Sequence, residues 1–132
     1  MSAEVSLGLA EEYLKAASRS LEEGLPNAAA SAAVHAAICA NDAICLARLG
    51  KRPHGETHGA AVGMLLQACR GTQCEKAASV HSRQLEQVLA IKTDAEYSGV
   101  ALARKRAQTA VQQASRFVTW AREVVVEAGP RR

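Results

Sequence analysis

Apolar positions return every three or four residues along most of this chain, with no stretch of strict alternation, and that period predicts helices throughout. Over about residues 5–22, Leu9, Tyr13, Ala17 and Leu21 fall on one stripe while Glu11, Glu12, Lys15 and Arg19 fall elsewhere. Gly24-Leu25-Pro26-Asn27 then closes one helix and opens the next. Residues 26–49 are apolar around most of the circumference, with Asn41 and Asp42 as the one strongly polar interior pair, which marks the central helix of a bundle. Gly50 stops it, and Lys51-Arg52-Pro53-His54-Gly55 forms a short basic loop.

A third helix is expected to start at Thr57 as N-cap, to run to about Arg70, and to bury Ala61, Leu65 and Ala68. Gly71-Thr72 breaks it, and residues 76–91 offer Ala78, Leu85, Val88 and Leu89 as a fourth, narrower stripe. Residues 92–99 read as a polar connector with at most one helical turn. From Val100 to Ala128, Ala103, Ala107, Ala110, Ala114, Phe117, Ala121 and Val124 recur at three and four residues, the spacing of antiparallel bundle packing. Such a helix is on the order of 40 Å long, enough to serve a dimer interface as well as a core.

The expectation is an all-α, up-and-down bundle of about five helices in a single domain over residues 1–132, with its core over about 5–128. Composition agrees: alanine is abundant, aromatics make up 3% of residues, and three prolines interrupt the chain. A net charge of +3 does not by itself argue for nucleic acid. Its distribution is uneven, with Glu11, Glu12, Glu22 and Glu23 in the first helix and Arg104, Lys105, Arg106, Arg116 and Arg122 in the last, a polarity that suits internal pairing or docking. The first ten residues carry Glu4 and no basic start, so neither a signal peptide nor a membrane span is expected, and the location expected is cytoplasmic. In that compartment Cys39, Cys45, Cys69 and Cys74 are expected as free, small core residues.

Three patches resemble the HEPN superfamily, especially its compact bacterial members: VHAAICANDAICLARLG, the loop leading into THGAAVGML, and LAIKTDAEYSG ahead of the last helix. Ala43, Leu46 and Gly50 stand at the end of the first motif, His58 opens the next helix, and Lys92, Ala95, Glu96 and Tyr97 match a later segment in which Lys replaces the family's Arg and Glu its Asp. The resemblance implies a helical bundle, often a homodimer, found beside a small nucleotidyltransferase in toxin–antitoxin pairs or acting as an RNA-cleaving toxin. No cofactor is expected.

RNA-cleaving members use an Arg followed after four to six residues by His, a cation beside the phosphate and a group that moves protons near neutral pH. Arg48 with His54 and Arg52 with His58 both meet that spacing, with five residues between. Both pairs surround the loop after the second helix, whereas the nuclease motif lies late in the chain, so a solvated loop is the favoured reading. Asn41 and Asp42, polar inside an apolar helix, either bond internally or face a cleft. The ligand-binding set expected is therefore Asn41, Asp42, Arg48, His58, Lys92, Glu96 and Tyr97, taking a nucleotide or RNA, with no catalytic residue assigned and the Arg/His pairs as the alternative. The cysteine spacings, six and five, are not those of a zinc knuckle, and no Glu stands three residues before a His as a di-iron site needs. Phosphate-binding loops, nucleophile elbows and dinucleotide fingerprints do not occur in the sequence.

Overall fold

Glycine and capping residues cut the chain where the helices end. In a computed structural model describing residues 1–53, 57–96 and 102–130, five helices follow one another: α1 (Ala3–Glu22), α2 (Pro26–Leu49), α3 (His58–Cys69), α4 (Glu75–Glu96) and α5 (Arg104–Ala128). Ser2 caps α1 by accepting from Val5 N. Thr57 caps α3 as expected, its Oγ1 accepting from Ala60 N at 3.0 Å. Gly50 ends α2 at φ 74°, a left-handed conformation that a side chain would disfavour, and its N–H returns to Leu46 O.

α2 is the hub, packing against all four other helices. Ala29, Ala30, Ala33, Ala36, Ala37, Ala40 and Ala43 have no exposed surface. Small side chains there let α1 and α5 approach closely, and one buried cluster draws on all five helices. By length and a mean hydropathy of 1.4, α2 would suffice to cross a membrane, but 61% of that window is buried inside the bundle, as befits a core helix. Two contacts fix the start of α5: Leu102 N donates to Asn27 Oδ1 at 3.1 Å, and the Arg104 guanidinium donates to Leu21 O at 2.8 Å. The second puts a cation on the carbonyl end of α1. Arg122 on α5 also forms an ion pair with Glu11 on α1, so part of the charge polarity is internal pairing.

Several expectations need correction. The fourth helix runs on through residues 92–96, expected as connector, because Leu85, Val88, Leu89 and Ile91 are buried and carry the helix with them. The last helix begins at Arg104, four residues later than expected; Ala103 is its exposed N-cap, and Val100 lies outside the described residues. On α1 the inward stripe is Ala3, Leu7, Ala10, Leu14 and Ala17, with Leu21 partly buried, while Tyr13 is exposed, its ring 5.3 Å from that of His35 and tilted to it. Finally, Cys69 and Cys74 form a disulfide across the α3–α4 corner, with Cα atoms 5.2 Å apart. Gly71 at φ 73° and Thr72, whose Oγ1 donates to Cys69 O, turn the chain tightly enough to bring the two sulfurs together. Cys39 and Cys45 are free.

Candidate functional site

The polar pair inside α2 faces a cleft between α2, α3 and α4. Ile38, Asn41 and Asp42 share one side of α2, spaced three and four residues from Ile38. Arg52 and Pro53 come from the loop after α2, Thr57, His58 and Ala61 from the first turns of α3, and Leu85, Leu89 and Lys92 from one stripe of α4. The cavity measures about 430 Å³, within the range of small-molecule sites. Apolar groups from all three helices form its walls, and Arg52, His58 and Lys92 put cationic or protonatable groups around it.

Asn41 is 2% exposed. Its Nδ2 donates to Ala61 O at 3.2 Å, tying α2 to α3 and fixing the amide's orientation, since only the NH₂ can meet a carbonyl. Its Oδ1 is buried with no hydrogen-bond partner, an unusual state for a polar atom in a folded protein. Asp42, half-buried, has neither a hydrogen bond nor a salt bridge among the described residues. Burial raises its pKa to about 6, with Arg52 opposing the shift. Both residues line the cleft, the Asn41 Oδ1 enclosed and the Asp42 carboxylate partly open to solvent. The α3 N-terminus, carrying Thr57 and His58, opens onto the same space and favours negative charge.

Of the seven residues expected to bind ligand, Asn41, Asp42, His58 and Lys92 come together here, joined by Arg52 from the alternative set. Arg48 does not. It turns toward α5, where its Nη2 lies 3.8 Å from a Glu127 carboxylate oxygen. The Arg48/His54 pairing loses that member, and His54 lies outside the described residues. Glu96 is the last residue of α4; its side chain and the whole of Tyr97 lie outside the described residues too. Sequence reasoning took Leu85 and Leu89 for core and missed them as cleft wall. Their three- and four-residue spacing to Lys92 was the available signal, since it sets all three on one face of a helix that continues past Ile91.

The free cysteines are held toward the neutral thiol. Burial first, and Asp42 second, push the Cys45 thiol up to about 12, and Cys39 is raised by the same causes with Arg52 opposing. Among the described residues no three His, Cys, Asp or Glu side chains gather as a metal would require. What the cleft offers is a carboxylate and basic side chains in one recess walled in part by apolar residues, and so the chemistry of a site for an anion that also carries hydrogen-bond donors.

The bundle and cleft define a small all-helical module. The HEPN domain pattern matches residues 3–124, which includes every helix but the end of α5. The chain belongs to the HEPN domain family. No curated protein matches it.

Proposed function

We propose that this HEPN domain is a binding module whose α2–α3–α4 cleft takes a phosphate-bearing, nucleotide-like ligand. One observation carries the reading: Asp42 and the buried Asn41 Oδ1 have no donors of their own, and they share a recess with Arg52, His58, Lys92 and the α3 N-terminus. Leaving the buried Asn41 Oδ1 without a partner costs about 1–3 kcal/mol, and the half-buried Asp42 carboxylate stays open to a donor from a ligand. The cations and the helix end suit its phosphate. Isothermal titration with 5′-nucleotides tests this. Affinity is expected in the wild type and a loss of about tenfold or more in the Arg52→Ala, Lys92→Ala double variant; equal affinity in both would move the site elsewhere.

A second reading, a metal-independent ribonuclease, is supported by Arg52 and His58 lining one cleft together with a carboxyl whose pKa is about 6. It predicts RNA cleavage in chelator that His58→Ala abolishes. Binding without catalysis predicts none. We also propose that the module pairs with itself and with a nucleotidyltransferase, as the family resemblance implies. The α1–α5 face supports self-pairing, because Val126 stands 72% exposed on it beside Leu7, Gly8 and Pro130. Light scattering is then expected to give twice the chain mass, falling to one chain in Val126→Glu.

A further inference from the structure

We propose that Asp42 sets the selectivity of the cleft, turning away bare anions and admitting a phosphate ester whose own N–H or ammonium group meets the carboxylate. The inference rests on the cleft being the ligand site and goes on to name the residue that sorts its ligands.

Charge inside the cleft is mixed. Arg52 from the loop, Lys92 from α4 and the first turn of α3 favour an anion, while Asp42 from α2 brings a negative charge into the same recess. For anion binding alone that carboxylate is a defect, because it offsets one of the two cations and repels any phosphate beside it. Asp42 is half-buried, so a ligand can reach it, and no hydrogen bond or salt bridge commits it elsewhere among the described residues. Arg52 attracts its charge, yet burial outweighs that attraction, and the pKa stands at about 6. At neutral pH the group is mostly ionised without a direct partner.

Such a charge discriminates in both directions. A ligand offering only negative oxygens is repelled in a recess where water screens less than at an open surface. A phosphate ester with an N–H or ammonium group gives the carboxylate a partner, and its phosphate keeps Arg52 and Lys92. The amines and ring N–H groups of nucleotide bases fill that role. The other titratable or charged groups facing Asp42 are Cys39 and Cys45 on its own helix, Arg52 in the loop, His58 on α3 and Lys92 on α4. Both thiols are raised by burial and stay neutral near pH 7.

Sulfate and AMP separate the two ligand classes. Sulfate is a donor-free anion whose charge is constant from acid to neutral pH, and AMP joins a phosphate to an amine. In calorimetric titrations at neutral pH, Asp42→Asn is expected to bind sulfate about tenfold tighter than wild type, with the preference for AMP over sulfate about tenfold smaller. At about pH 5, below the pKa of Asp42, the two proteins are expected to bind sulfate equally. His58 and the cations are common to both, so the ratio of their affinities isolates Asp42. Asp42→Ser, a smaller neutral group, carries the same expectation should the amide variant fail to fold by circular dichroism. Equal sulfate affinity at neutral pH, or a difference that persists at about pH 5, would overturn the role given to Asp42, AMP binding leaving the cleft as the ligand site. Neither probe binding to either protein would overturn both.

Discussion

Asn41 on α2 reaches across to Ala61 on α3, its Nδ2 donating to the carbonyl oxygen at 3.2 Å, and in doing so it leaves its own Oδ1 buried and unpaired. That geometry returns little net stability, because one net hydrogen bond is worth about 1 kcal/mol and a bare buried acceptor costs as much or more. Asn41→Leu, of similar volume, is therefore expected to match the wild type in urea denaturation or exceed it by about 1 kcal/mol, while nucleotide affinity falls. A loss of several kcal/mol would show that Oδ1 has a donor and that the residue is a structural strut.

Asp42 gives a pH signature with a definite sign. Its folded pKa, about 6, lies above the ordinary value of 3.8. Between those values the native state holds the proton more tightly than the unfolded chain, so this group's contribution to stability falls as pH rises from about 4 to 6. The group lies with Arg52, His58, Lys92 and the Cys39 thiol around it, and of these Arg52 holds its pKa down. Asp42→Asn is expected to be more stable than wild type at pH 7 by about 1 kcal/mol, solvent at the cleft mouth screening the rest, and equal to it below about pH 4. Melting curves at the two pH values check this; a difference that grows toward acid contradicts it.

The cysteines divide two and two. With Cys69 and Cys74 paired and Cys39 and Cys45 free, thiol titration of denatured, unreduced protein is expected to find two thiols, and four after reduction. Closing so short a loop stabilises by about 2 kcal/mol in the chain-entropy account, so reductant is expected to lower the melting temperature by several degrees. No change in thiol count on reduction would remove the bridge.

The all-helical class and the first three helix boundaries were legible because caps, glycines and a 3.6-residue period act locally: Thr57, Gly50 and Pro26 each do in the structure what their chemistry suggests. Asn41 and Asp42 stood out for the same reason, as polar residues in an otherwise apolar helix. What the sequence hid was set by tertiary packing. The run after Ile91 is polar, yet it continues α4 because the buried stripe before it orders the helix. Arg48 and Arg52 are four residues apart and equally basic, but α2 ends between them at Gly50. One is left on the helix facing Glu127, and the other is released into the loop beside Asp42. The disulfide was hidden because a spacing of five implies no bridge until Gly71 and Thr72 fold the chain back.

The alanine-lined contacts of α2 leave no room for larger groups. Ala37 is fully enclosed, so Ala37→Leu is expected to destabilise by about 1–3 kcal/mol through overpacking, measured by urea denaturation. An unchanged midpoint would mean that the helices are less closely packed than they stand here.

If the cleft between α2, α3 and α4 is the ligand site, an amide NMR titration with a 5′-nucleotide shows it most directly. The shifts are expected to cluster at residues 38–42, 57–61 and 85–92, the three segments that meet around Asp42. Shifts confined to α1 and α5, or none up to millimolar ligand, would contradict it.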